Sequence, residues 1–377
     1  MPTVSWRASP LLVVAGFALS GVLTGALLQT DVIAYERTFG LNHAQVSFWL
    51  SFFSLLTAIG GTAASCVSDR LGAGRIYRGS LLLSGLGLLA FSRGTEPWIL
   101  AGVVTGGLGM GGLVVGNILV SQGESAAPNR ALNRLHAAHS LARLAGVLLS
   151  MAVLAMSWQT SYAVLGAVFC CLAALYCAPG FQTAAPVSPN SPAGGGISKL
   201  PLSSIALGFF VYMTAEMILI TWLPAYLERD RQWGSLASKS AYGVFLAGMI
   251  AGRMMCAGRW PEELTSSSCA VLAAAHAAAI ALFIFLPNPA AAHVALAVAG
   301  FCEGPGWPSL YAYAIRRSRG AEGKVTGVIY VAVCSGILVS TAGSGVLAQR
   351  AGLESVFYVV GVAHAAFSLI FLNLLRR

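Results

Sequence analysis

Five ionisable side chains stand inside long apolar runs of this sequence: Asp31, the neighbours His139 and Arg143, Glu216 and Glu303. A charge in apolar surroundings needs a counter-charge or a water-filled cavity. Glu216 lies nearest the middle of its run, which also carries Tyr212 and Trp222. A carboxyl that is neutral when dry and ionised when wetted is the minimum equipment for carrying a proton, although an acid permanently neutralised by Arg143 explains the same residue. Arginine keeps its proton, so Arg143 is either a counter-ion to Asp31 or Glu216 or a fixed cation for an anionic solute. Glu303 sits in AGFCEGPGWPS, where Gly304, Pro305, Gly306 and Pro308 must break or kink a helix. Such backbone, deep in apolar surroundings, is tolerated only where it is buried in protein or lines a cavity. Trp307 beside it offers a ring for stacking or for packing on a neighbouring helix.

The composition explains why these few residues matter. Of 377 residues, 57% are apolar and 9% charged, and mean hydropathy is +0.76. Soluble globular chains carry about 25% charged residues. Thirteen acids and twenty-two bases cannot cover soluble domains of this length, so the chain is membrane-embedded. The same numbers exclude disorder and a basic nucleic-acid-binding domain. No nucleotide loop, metal cluster or nucleophile constellation is present, which argues against an enzyme and leaves a transmembrane gradient as the energy source. No cofactor or metal is expected. The eight cysteines all lie within or at the ends of apolar runs without a CxxC pair, and read as packing residues.

Apolar runs of roughly 17 to 25 residues can cross a bilayer. Twelve are read, at about 11–34, 45–67, 79–94, 98–121, 134–156, 161–178, 203–227, 239–259, 268–286, 291–315, 324–347 and 355–375. The expected fold is therefore an all-α membrane protein of twelve transmembrane helices in two six-helix, pseudo-symmetric halves, 1–178 and 201–377. The Pro-, Gly- and Ser-rich segment 179–200 reads as a flexible cytoplasmic linker. The first run is too long for a cleavable signal. With the amino terminus placed inside, fourteen basic residues fall in cytoplasmic loops and six on the opposite side, which predicts both termini in the cytoplasm. The net charge of +9 is thus an orientation signal and a contact with anionic lipid. AGVLLS at 145–150 and SGILVS at 335–340 follow basic loops at similar distances and suggest two related halves. GGLGMGG at 106–112 removes side-chain bulk and predicts close helix contact. One turn on, Asn117 either bonds a solute or caps its helix.

Between the second and third runs stands SCVSDRLGAGRIYR, with Asp69 and Arg70 at a helix end, Gly72 for a tight turn, then Arg75 and Arg78. The segment resembles the signature loop of the major facilitator superfamily, at Asp69, Arg70, Gly72 and Arg75. In that family the acid and bases form a cytoplasmic latch that holds the outward-facing state, and the resemblance implies that role for these four residues. Ser65 and Gly74 depart from the pattern. AGRMMCAGR at 251–259 is similar to a degraded second copy, in which Arg253 either joins the latch or snorkels to the surface. The drug:proton antiporter marks, an Arg in the fourth run and Gly-Pro in the fifth, are missing. NRALNRLHAAHS at 129–140 and AEMILITWLPAYL at 215–227 look instead like the fucose:proton symporter branch, with which Asp31 also agrees. Leu141, Ala142 and Arg143 replace that branch's glycines, and the added cation suits an anionic or zwitterionic solute.

The resemblance and the buried charges together imply a proton-coupled secondary transporter of a small polar solute in the inner membrane, monomeric, with the lipid bilayer as its surroundings and no nucleic-acid partner. Its substrate and proton set is Asp31, Asn117, His139, Arg143, Tyr212, Glu216, Trp222, Glu303 and Trp307. Its gating set is Asp69, Arg70, Gly72, Arg75 and Arg253. An exporter of a metabolite, metal chelator or drug is the alternative.

Overall fold

The structure is a computed structural model that describes residues 9–24, 36, 38–123, 126–152, 157–176, 202–258, 266–318 and 321–375. Among these residues the secondary structure is helical, without strands. The helices are α1 (Ser9–Leu23), α2 (His43–Leu71), α3 (Ala73–Phe91), α4 (Glu96–Gly112), α5 (Val115–Gly123), α6 (Pro128–Ala152) and α7 (Trp158–Leu175), followed by α8 (Leu202–Arg229), α9 (Ser235–Gly258), α10 (Ser266–Phe285), α11 (Pro289–Glu303), α12 (Gly306–Arg316), α13 (Glu322–Ala351) and α14 (Glu354–Leu375). The segment read as a linker, 179–200, and Asp31 lie outside the described residues.

Eight helical stretches are long and apolar enough to cross a membrane: α2, α4 with α5, α7, α8, α9, α10, α13 and α14. The others fall short for visible reasons. The described part of α1 is fifteen residues. Arg75 and Arg78 occupy the start of α3, and α6 carries three arginines and two histidines. Gly304 and Pro305 divide the tenth apolar run into α11 and α12. Three of these four, α1, α6 and the α11–α12 pair, line the cavity described below. The low hydropathy of α6 comes in part from the polar groups that face it.

Local chemistry sets the ends. Asn42 and Gln45 cap α2 reciprocally, each side chain accepting the other's backbone N–H at 2.9 Å. Gly72 ends it at φ 87°, a backbone region that L side chains disfavour, and donates to the Ser68 carbonyl at 2.9 Å. The turn from α2 to α3 is this one residue, so Arg70 stands on the last turn of α2 and Arg75 on the first of α3, both exposed. The third helix therefore begins six residues before the apolar run. The Asp69 side chain lies outside the described part.

Packing divides the helices into two sets. Within the first, α4 lies against α2 and α3, α6 against α1, and α7 against α3; within the second, α11 lies against α9 and α10, α14 against α8 and α10, and α13 against α8. Glycines let α4 approach closely: a Cβ on Gly109 would overlap the Ser84 backbone, and one on Gly111 the Thr57 carbonyl. Two long seams join the sets, α2 with α13 and α6 with α9.

Candidate functional site

Between the two sets lies a cavity of about 240 Å³. Its walls come from both: α1, α2, α4, α5 and α6 on one side, α8, α9, α12 and α13 on the other. Most of the lining is apolar, with the polar groups gathered along α6 and the helices facing it.

His136, His139 and Arg143 follow one stripe of α6, at helical spacings of three and four. Asn117 Nδ2 donates to the Val114 carbonyl at 3.1 Å, which turns its amide oxygen toward His136 Nε2 at 2.9 Å. That nitrogen therefore carries the proton. His139 Nδ1 donates to the Phe17 carbonyl at 2.9 Å and lies 3.2 Å from Ser20 Oγ. Arg143 Nε donates to Thr24 Oγ1 at 3.3 Å, and its Nη1 stands 3.4 Å from Glu216 Oε1 on α8. The side chains of this ion pair are 7% and 10% exposed. It joins a helix of the first set to one of the second, inside the cavity.

Arg253, on α9, makes a second bridge. Pro308 has no N–H, so the Gly304 carbonyl lacks the donor that a continuous helix would supply four residues on. Arg253 Nε donates to that carbonyl at 2.8 Å, while Nη1 donates to the His136 carbonyl at 3.0 Å and to Ser140 Oγ. At 3% exposure it does not snorkel. Trp307, just beyond the break, packs against the tilted His136 ring with centroids 4.4 Å apart, and Tyr311 stacks on it at 5.1 Å.

The cavity thus brings together Asn117, His139, Arg143, Glu216, Arg253 and Trp307. It does not receive Tyr212, Trp222 or Glu303. Six residues beyond Glu216, Trp222 donates from Nε1 to Ser344 Oγ on α13 at 2.8 Å. Tyr212 is turned behind the α11–α12 break and donates from its hydroxyl to the Glu303 carbonyl at 3.2 Å. The Glu303 carboxylate points away from the cavity, 3.7 Å from His276 Nδ1 and 3.8 Å from His364 Nε2. His136 stood out in the sequence only within a motif, and Phe17, Thr24 and Tyr330 did not, since none carries a charge near neutral pH to betray it; His276 and His364 were missed as well. A lone histidine in an alanine-rich run was the available signal for the last two.

This geometry defines a helical membrane protein with a charged, solute-sized cavity between two helix sets. The model of the Major Facilitator Superfamily matches residues 9–341, and the chain belongs to that superfamily of transporters, as the α2–α3 segment implied. Similar solved structures include the human organic anion transporter MFSD10 (TETRAN), with TM-score 0.78 and 15% identity over 98% of this chain and 100% of that one. The transporter FucP in an outward conformation gives TM-score 0.74 and 16% identity over 97% and 98% of the two chains. The E. coli fucose:proton symporter FucP gives 0.72 and 15% over 98% and 99%. At these identities the likeness is one of fold. Comparison with curated proteins finds no match.

Proposed function

We propose that this chain is a secondary active transporter that carries a small polar organic solute across the cytoplasmic membrane by alternating access, coupled to protons. On this reading the halves 1–178 and 201–377 rock about the cavity, the twelve apolar runs all span, and both termini are cytoplasmic. The observation that carries the reading is the Arg143–Glu216 ion pair, which ties the two helix sets together inside the cavity. Protonating Glu216 removes the charge that holds Arg143; the tie weakens as pH falls and reforms when the proton leaves. A proton taken up on one side and released on the other is thereby linked to separation of α6 from α8.

Arg143 and Arg253 supply the only guanidinium groups among the cavity-lining residues described. They favour a solute with a carboxylate or similar anionic group, with Asn117, His139 and Trp307 beside it. The organic anion and fucose:proton transporters with this fold support a small polar cargo. Arg70, Gly72 and Arg75, with Asp69, are proposed as the cytoplasmic latch.

A thermal-shift screen of sugars and small organic acids on the purified chain at two pH values identifies the solute class, because a ligand that binds the folded state raises Tm. With that solute in proteoliposomes, Glu216→Gln is expected to abolish gradient-driven uptake while sparing solute exchange. Equal loss of both would make Glu216 structural.

A further inference from the structure

Behind the cavity wall, three ionisable side chains converge that the transport reading does not use. His276 on α10, Glu303 at the end of α11 and His364 on α14 are 0%, 2% and 1% exposed. One nitrogen or oxygen from each lies within 4.8 Å of the others. Their ring and carboxylate bonding is unusual for buried groups. Both Glu303 oxygens, His276 Nε2 and His364 Nε2 are buried without a hydrogen-bond partner. Buried polar atoms are almost always satisfied, and four orphans in one place need a reason.

The tautomers can be read from the backbone. His276 Nδ1 faces the Ala299 carbonyl at 2.9 Å and His364 Nδ1 faces the Val360 carbonyl at 3.3 Å. A carbonyl only accepts, so each Nδ1 carries the proton and each Nε2 keeps its lone pair. A histidine whose other nitrogen donates to a backbone carbonyl is the usual arrangement behind a metal-binding imidazole. The rings are stacked, with centroids 3.6 Å apart and 24° between their planes.

Spacing separates two explanations. A shared proton would draw the carboxyl and an imidazole to about 2.7–3.0 Å. The observed 3.7 and 3.8 Å separations are too long for that. Donor atoms around a tetrahedral ion at about 2.0–2.1 Å stand roughly 3.3 Å from one another. The 3.8 Å between His364 Nε2 and Glu303 Oε1 needs a small contraction, and the His276 ring must turn to present Nε2 in place of the protonated Nδ1 that stands at 3.7 Å.

We propose that His276, Glu303 and His364 form a binding site for a divalent transition-metal ion of zinc-like character, resident in the second helix set and separate from the solute cavity. Two neutral imidazoles and one carboxylate suit such an ion better than calcium or magnesium, which take oxygen ligands. Bound there, it would fasten α10 and α14 to α11 at the residue before the Gly304–Pro305 break, stiffening the helix from which Trp307 and the Gly304 carbonyl reach the cavity.

The full-length chain, free of any histidine tag and purified from zinc-supplemented cells, is expected to retain stoichiometric zinc through gel filtration, and its Tm should fall when a strong chelator strips it and recover with zinc alone. Cobalt added to the stripped protein should give visible absorption bands of a nitrogen- and oxygen-ligated tetrahedral ion, displaced by zinc. His364→Ala and Glu303→Gln should weaken zinc binding by more than about 100-fold, beyond the loss typical of an outer-ligand change. Replacing the half-buried His293, which stacks on Trp233 away from the cluster, should leave the zinc content unchanged. If a variant does not fold, the cobalt spectrum of the unaltered chain still decides. Absence of retained metal and of cobalt bands, zinc content unchanged by His364→Ala, or a Tm that responds to pH but not to zinc would each overturn the site.

Discussion

The two seams that join the helix sets occupy matching places and are furnished differently. In each, a helix next to the end of its pairings packs along a helix of the other set: α2 on α13, α6 on α9. The first is small and uncharged. Ser51 Oγ meets Thr341 Oγ1 at 2.8 Å, Gly61 lies under the Tyr330 ring, and Gly327 faces Ser65 and Cys66. The second carries Arg253 on Ser140 and His136, with Ser140 donating to Met249 Sδ at 3.5 Å, and beside it the Arg143–Glu216 pair. One seam offers a surface over which helices can roll with little change in polarity. The other must break charged contacts to open, and so can be made to wait for a proton or a solute. The proposed alternating access would use both kinds, which here are separated in space.

Changing the charged seam should have the larger effect. Arg253→Ala removes donors from the Gly304 and His136 carbonyls; at about 1.5–3 kcal/mol per hydrogen bond from a charged group, a stability loss of at least about 3 kcal/mol is expected in a detergent unfolding series. Transport should fall with it, and Arg253→Lys should restore stability only in part, since an ammonium lacks the fork. On the uncharged seam, Gly61→Val forces the Tyr330 ring aside and should cost about 1–3 kcal/mol, as overpacking does. Uptake should slow without any change in its pH dependence; a shifted pH profile would show that the seams are not separate in role.

The smallest effect belongs to the rim. Glu36, before α2, meets Arg229 at the end of α8 with 2.6 Å between Oε2 and Nη2, and the Arg229 side chain is 38% exposed. The Glu36 side chain is 10% exposed, and partly exposed pairs of this kind contribute about 1 kcal/mol or less. Arg229→Ala should therefore change Tm marginally and lose even that difference in high salt.

How much of this was legible beforehand follows from what each residue needs. Twelve apolar runs, a proline- and glycine-broken tenth run and the glycine-lined contact of α4 could be read because hydropathy and backbone freedom are local properties. Where the residues are described, the runs fall on helices, and the break divides α11 from α12 where Gly304 and Pro305 stand. Asn117, His139, Arg143 and Glu216 were visible because an ionisable or amide group inside an apolar run is conspicuous, and they share the cavity. Glu303 was equally conspicuous, yet its surroundings depend on residues 27 positions before and 61 after it, and no local pattern joins 276, 303 and 364. Tyr212 and Trp222 shared a run with Glu216 but not its environment, because the face each presents depends on the neighbouring helices. AGVLLS and SGILVS lie on α6 and α13, one helix from each seam. A weak likeness in sequence thus falls on equivalent packing.

The central claim is that Glu216 couples a proton to separation of the two helix sets, and it can be tested without knowing the solute. Leu148 near the end of α6 and Leu236 at the start of α9 are exposed at 55% and 70%, one on each helix of the charged seam. Spin labels at these two positions, measured by pulsed electron resonance in lipid discs from alkaline to acidic pH, should show a longer-distance population that grows as pH falls. In Glu216→Gln that population should be present at both extremes. Identical distance distributions across the pH range in the chain with Glu216 intact would contradict the account.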